Sequence, residues 1–429
     1  MSTKSFKTES PATRAALALA VLCCLAAAGF FVKWFFGATL AGRAASLGDE
    51  SREVADLALR LAPADPRAHF VSALLYDRTF LPEDQERALA AYERAAALSP
   101  NDFRYWLELG RARERAGDAA RAEIALRRAL ALAPRYAHVQ WTLGNFLLRQ
   151  GKTDEAFAQI RSAAAGSRDY AGPAVANAWQ LYDGDLARVN DYVGDSINLR
   201  AALAAYLAGE KRFEESAGIW NALPEALRRG EFRSVGEEIY RKMVEAKKYR
   251  AALDLFADLD AANGEKPAPG KIVNAGFEAE TPKNAGLFAW QIADGAQPLV
   301  GRDNTQKRGG ELSLAIVFNS ADGKDFRQIS QTIVVEAGRR YQFEVFGRAD
   351  LKAAATLRWE IADAADGKLL AATEAVPAKT DWNVLRTEFT APPATEAVIL
   401  RIARDASCAS AICPIAGRVW FDDFALNVK

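Results

Sequence analysis

Histidine and methionine are almost missing from this chain of 429 residues, with two of each. His69 and His138 are too few for a histidine-rich metal centre, and neither stands beside a serine or cysteine in a nucleophile context. Net charge is missing as well: 55 Lys and Arg balance 55 Asp and Glu, which removes the electrostatic case for a nucleic-acid partner. No phosphate-cradling glycine loop occurs. Paired carboxylates such as Asp422 and Asp423 would point to opposite faces of one strand, the wrong geometry for shared acid and base work. The expectation is a protein that is not an enzyme.

Cysteine is scarce and its placement is informative. Cys23 and Cys24 lie inside an apolar run from Ala15 to Val32, 18 residues without a charge, which Trp34, Phe35 and Phe36 extend past Lys33. That approaches the roughly 20 residues that cross a bilayer. Lys4, Lys7 and Arg14 precede it, so the positive-inside bias predicts a cytoplasmic tail over 1–14, a transmembrane helix over 15–37 and everything after it outside. The expected location is a bacterial inner membrane, single-pass, with the bulk periplasmic. A cleaved signal peptide with Thr39-Leu40-Ala41 as its site is the competing reading, although the run exceeds the usual core of about 7–15 residues. Export favours a disulfide between Cys408 and Cys413 over zinc, which would want four ligands; two free thiols in a small apolar loop are the alternative.

A period is plentiful where residues are scarce. Leu109, Gly110, Ala122, Ile124 and Ala129 are followed 34 residues later by Leu143, Gly144, Ala156, Ala158 and Ala163, and Ala88, Ala95 and Pro100 meet Ala122, Ala129 and Pro134 at the same offset. Such a period marks stacked helix pairs, none of which can bury its apolar face alone. Small Gly110 and Ala122 let paired helices approach, Gly117 and Asp118 suit the turn, and Pro134 cannot continue a helix.

Residues 103–136, with Trp106, Leu109, Gly110, Ala122, Leu126, Ala129 and Pro134, resemble the tetratricopeptide family. The next unit drifts, with Gln140 at the tryptophan position and Arg168 at the proline position. Glu53–Leu61 reads as the second helix of a partial unit, and Phe213, Ser216, Trp220 and Tyr249, Ala252, Phe256 as later second-helix faces, giving a solenoid over 50–262. The resemblance implies a concave groove lined by Arg104, Arg111, Arg115, His138, Trp141, Asn145 and Arg149, suited to a protein partner with an acidic or carboxylate-ended segment and an apolar anchor. Solvated surface arginines are the plain alternative.

A Pro- and Gly-containing linker over 263–270 ends the helical pattern. Alternation follows, in Leu312, Leu314, Ile316, Phe318, then Tyr341, Phe343, Val345, and onward to Val419 and Phe421, which predicts an antiparallel sandwich over 271–429. Asn274-Ala275-Gly276-Phe277-Glu278, Trp290, Gly338-Arg339-Arg340-Tyr341, Trp382, Phe389-Thr390-Ala391-Pro392 and Val419-Trp420-Phe421-Asp422-Asp423-Phe424 follow the order seen in jelly-roll carbohydrate-binding modules of xylanases and glucanases, a galactose-binding-like sandwich. The resemblance implies a structural calcium at Glu278 with Asp422 or Asp423; solvated carboxylates are the alternative. It also implies a polysaccharide-binding face. Alternation puts Gln342, Glu344, Phe346 and Arg348 opposite the core side, with Arg358, Glu360, Arg386 and Arg401 joining them, while Trp290, Trp359, Trp382 and Trp420 fall in the core or its rim. An Arg-rich face suits an acidic saccharide or a protein surface; a solvated face is the plain reading.

The expected fold class is multidomain: one transmembrane helix, an all-α repeat solenoid and an all-β jelly roll. The function this predicts is a membrane-anchored periplasmic scaffold in envelope or exopolysaccharide assembly. A purely protein-interacting subunit of a secretion or pilus-type machine is the alternative.

Overall fold

A computed structural model describes residues 11–44, 51–79, 81–259, 265–281, 286–320, 326–352, 357–404 and 414–429. Lys4, Lys7, Cys408 and Cys413 lie outside the described residues, and the disulfide expectation with them. The chain divides into two compact units, Met1–Leu199 and Arg200–Lys429.

The first unit is helical: α1 (Pro11–Ala44), α2 (Ser51–Leu61), α3 (Pro66–Asp77), α4 (Pro82–Leu98), α5 (Phe103–Arg115), α6 (Ala119–Leu132), α7 (Ala137–Arg149), α8 (Thr153–Gly166), α9 (Ala171–Leu181) and α10 (Leu186–Val193). Aspartates start several of them, the side chains of Asp65, Asp102, Asp118 and Asp185 accepting N–H bonds that the first turn would otherwise leave open. α3 pairs with α4, α5 with α6 and α7 with α8. Two glycines set the closeness of the pairs. A Cβ on Gly110 would stand 2.6 Å from Leu126 Cδ2, and one on Gly144 would stand 2.7 Å from Ile160 Cγ1. Between successive pairs the core is Tyr92, Tyr105 and Leu109, then Leu126, Leu143 and Phe146.

α1 differs from the 15–37 span in one respect. Its apolar side chains from Leu17 to Phe36 are exposed, but the helix runs on, and Gly37, Ala41 and Ala44 are buried against the repeat stack. Ala41 clusters with Ala58 and Ala68, and Ala44 with Ala55 and Leu75. The end of α1 therefore serves as the first helix of the partial unit whose second helix is α2. Small side chains on both helices permit this; a Cβ on Gly37 would stand 2.6 Å from Ala62 Cβ.

In the second unit α11 (Ile197–Gly209, beginning just before the division), α12 (Phe213–Asn221), α13 (Glu225–Arg229), α14 (Arg233–Glu245) and α15 (Tyr249–Leu259) precede ten strands: β1 (Gln291–Ile292), β2 (Leu299–Asp303), β3 (Ser313–Ser320), β4 (Ile329–Val334), β5 (Arg340–Leu351), β6 (Leu357–Asp363), β7 (Leu369–Ala372), β8 (Lys379–Thr390), β9 (Ala397–Arg404) and β10 (Ile415–Val428). Two five-stranded antiparallel sheets form, β1-β4-β9-β6-β7 and β2-β3-β10-β5-β8. Inward residues of both sheets fill the space between them, Trp290 and Trp359 packing with Phe277, Phe421 and Phe424 at ring separations of 4.9–5.9 Å. A bulge in β10 between Asp422 and Ala425 changes the alternation, so that Phe421 and Phe424 both face the core. The helices α14 and α15 pack on this sandwich: Phe256 meets Phe288 at 5.7 Å, and the Leu287 N–H donates to the Tyr240 hydroxyl at 3.0 Å.

Candidate functional site

α5 and α7 hold an open cleft of about 380 Å³ on their shared side. Arg111, Arg115, His138, Trp141, Asn145 and Arg149 line it, as the repeat register brings equivalent faces of the two helices together. Arg104 does not: its guanidinium turns back on Asp102, with Nε 2.9 Å from Oδ1, and holds that carboxyl below its ordinary range. The cleft arginines already have carboxylate partners. Arg149 makes a bidentate pair with Glu114 at 2.8 and 3.0 Å, Arg111 bonds Glu108 at 3.1 Å, and Arg115 bonds Asp77 at 2.5 Å. The groove is thus charge-compensated, and an incoming acidic group must exchange with these partners. Tyr170 completes the site. It stacks on Trp141 at 5.0 Å, and its hydroxyl lies 3.1 Å from His138 Nδ1. The sequence carried a signal for it, since Tyr170 stands 34 residues after Tyr136, which packs on Phe103 at 5.2 Å.

The eight residues expected on one glycan-binding face lie on two. Gln342, Glu344, Phe346 and Arg348 of β5 and Arg386 of β8 are on the outer side of β2-β3-β10-β5-β8, whereas Arg358 and Glu360 of β6 and Arg401 of β9 belong to the other sheet. Alternation along a strand separates inside from outside but does not say which sheet a strand joins. The second group is closed on itself: Glu360, only 7% exposed, accepts from Arg358 at 3.1 and 3.2 Å and from Arg401 at 3.0 and 3.1 Å.

The β5 face is more aromatic than its sequence suggested. Trp420 is opposite Arg348 in the β10–β5 register and donates its indole N–H to Asp303 at 2.9 Å, so it lies outside the inter-sheet core. Trp382 is half-buried in an edge-strand bulge, where Asp381 and Trp382 of β8 together oppose Arg348. Arg348 bonds Asp381 at 2.6 Å, Arg386 bonds Glu344 at 2.7 Å, and the Arg308 guanidinium stacks over Phe346 at 3.4 Å. Half-buried rings beside guanidinium and amide donors are the elements from which a saccharide site is built.

Glu278, Asp422 and Asp423, the carboxylates of the calcium expectation, meet around the loop before β3. Glu278 Oε1 accepts the Glu311 and Leu312 N–H groups at 2.9 and 3.3 Å. Asp422 is fully buried, and its carboxylate accepts the Arg308, Gly309 and Asp423 N–H groups at 2.9, 3.1 and 2.8 Å. Asp423 pairs with the Arg308 guanidinium. Backbone donors and an arginine supply the positive charge that calcium was expected to bring, and no acidic cluster among the described residues is arranged to hold a metal. Burial pushes the Asp422 carboxyl above its ordinary range, against the pull of those three N–H groups.

Residues 270–407 match the carbohydrate binding domain family. No curated protein matches the chain. Among solved structures, a CBM4 module is 18% identical over 37% of this chain and 100% of its own, with a TM-score of 0.29. The MamA fragment beginning at residue 41 from Desulfovibrio magneticus RS-1 is 16% identical over 39% of this chain and 94% of its own, with a TM-score of 0.33. The CBM22-1–GH10 modules of Clostridium thermocellum endo-1,4-β-D-xylanase 10B, complexed with xylohexaose, are 16% identical over 38% of this chain and 29% of their own, with a TM-score of 0.27. The chain joins a region of stacked helix pairs to an antiparallel sandwich, and the match to the carbohydrate binding domain family falls on the sandwich.

Proposed function

We propose that the protein is a non-catalytic, membrane-anchored adaptor. Its repeat cleft takes a protein partner, and its sandwich takes an acidic polysaccharide on the β5 face, in envelope or exopolysaccharide assembly. α1 supplies the anchor, with Arg14 and the basic residues before it on the cytoplasmic side and the chain after the apolar run outside. The observation that carries the glycan reading is the placement of Trp382 beside Arg348, on the outer face of a sandwich whose residues match a carbohydrate binding domain.

The test is titration of the unit 200–429 with an acidic polysaccharide and with a neutral one. Binding of the acidic polymer is expected to weaken with salt and to fall at least tenfold in Trp382→Ala and Arg348→Ala, because charge-assisted bonds and ring stacking carry it. Arg358→Ala, on the other sheet, should bind as the parent does. No binding of either polymer would move the account to a purely protein-interacting subunit.

A further inference from the structure

Arginines line both edges of the helical stack in the first unit. At the turns within the helix pairs, Arg121 engages Asp118 at 2.7 Å and Arg149 engages Glu114, while Arg78 is exposed with no ion pair among the described residues. At the turns between successive pairs, Arg104 is engaged with Asp102 at 2.5 Å, but five further arginines are exposed and carry no ion pair among the described residues. They are Arg60 and Arg67 around the α2–α3 turn, Arg94 in the closing turns of α4, and Arg128 and Arg135 around the α6–α7 turn. Arg128 reaches only the Pro100 carbonyl, at 3.4 Å. Arg94 and Arg128 stand one repeat apart, at the same place on successive second helices. The acidic groups nearby are occupied as helix caps, Asp65 by the Arg67 N–H at 2.9 Å and Asp102 by Arg104.

α1 fixes where this second edge lies. Gly37 packs on Ala62, directly after the end of α2, so the turn that carries Arg60 and Arg67 is level with the point where the exposed apolar run from Leu17 to Phe36 stops. No linker intervenes, because one helix is both the apolar run and the first repeat helix.

We propose that the edge carrying Arg60, Arg67, Arg94, Arg128 and Arg135 rests on the anionic phospholipid headgroups of the bilayer that α1 enters. This rests on α1 being membrane-inserted, as proposed above. The occupant is a lipid surface rather than one soluble anion because the guanidiniums are strung along the stack, one or two to each repeat. A two-dimensional array of phosphodiesters meets such a row, and the attraction acts only within about a Debye length, roughly 8 Å at physiological salt.

The test uses the full chain in nanodiscs of phosphatidylcholine alone or mixed with phosphatidylglycerol, read by backbone hydrogen exchange. Exchange at 99–103 and 133–137 should slow at least threefold when the anionic lipid is present, while the opposite turns at 116–118 and 150–152 keep their rates. The effect should vanish in about 1 M salt, where screening falls to about 3 Å, and in the triple variant Arg94→Glu, Arg128→Glu, Arg135→Glu with unchanged helix content. Equal exchange in both lipids, or equal slowing on both edges, overturns the proposal alone. A chain that does not enter the nanodisc overturns the anchor reading and this proposal with it.

Discussion

The Tyr249 hydroxyl donates a 2.9 Å hydrogen bond to the Ala364 carbonyl, joining α15 to the sandwich across 115 residues of chain. Arg250 adds two more links, its N–H to Glu396 at 3.2 Å and its guanidinium to the Val335 carbonyl at 3.3 Å. Buried beside them are Phe288, Val334 and Ala397, which share a core with Leu253 and Leu255.

Cutting the chain at residue 271 uncovers that core. Exposing Phe288 and Val334 alone should cost about 3 kcal/mol at 1.5 kcal/mol or more for each large apolar side chain. Residues 271–429 are therefore expected to melt roughly 10 °C below 200–429 in calorimetry. Within 200–429, Tyr249→Phe should cost about 0.5–1.5 kcal/mol. Matching melting curves for the two fragments would show that the helices contribute nothing to the sandwich.

Gly144→Ala sets two effects against each other. Alanine gains about 1 kcal/mol in a helix interior. Its Cβ, however, would stand 2.7 Å from Ile160 Cγ1 and 3.0 Å from the Ala156 carbonyl oxygen, and backbone cannot retreat as a flexible side chain can. Overpacking of this kind costs about 1–3 kcal/mol, so net loss is expected. Gly218, within α12, has nothing within 4 Å of the same position, and Gly218→Ala should stabilise. Urea midpoints moving in the same direction for both variants would contradict this.

Asp303 gives the β5 face an acid sensitivity. The Thr305 hydroxyl first, then the Thr305 N–H and the Trp420 indole, hold its carboxyl below the ordinary range. A depressed folded-state pKa means that the unfolded chain binds the proton first as pH falls. The stabilisation is then complete above the unfolded value of about 3.9 and is lost as pH drops through the lower folded value. In Asp303→Asn the melting temperature should fall less steeply below about pH 4 than in the parent, and parallel acid limbs would exclude the effect.

The helical pairing of 103–136 was legible because Gly110, Ala122 and Leu126 repeat what they do: a period states which helices touch. The cleft residues other than Arg104 stand where the family resemblance implied. Their carboxylate partners were not legible, because Asp77 and Glu108 pair across and along helices at spacings that no repeat dictates. The sandwich core followed from alternation, as in β5, where half-buried and buried positions take turns along most of the strand. The division of the candidate face between two sheets did not, since Glu360 and Glu344 carry the same local pattern and differ only in distant strand partners. The surroundings of Asp422 were hidden for a related reason: two of its three N–H donors, those of Arg308 and Gly309, lie more than a hundred residues away, and backbone has no sequence signature.

The bulge in β10 also acts as a registration mark. In a regular strand a slip of two residues keeps every side chain on its proper face, which makes it the least costly pairing error. In β10 the inward positions are odd-numbered up to Phe421 and even-numbered from Phe424. A slip of two in one direction puts Asp423 in the place of Phe421, and a slip in the other puts Asp422 in the place of Phe424. Either error drives a carboxylate among Trp290, Trp359 and Phe343, at a cost no shifted ladder can recover. The central strand of the sheet that bears Trp382 and Arg348 can thus be threaded in only one alignment, and that alignment fixes which residues of β5 stand beside Trp420.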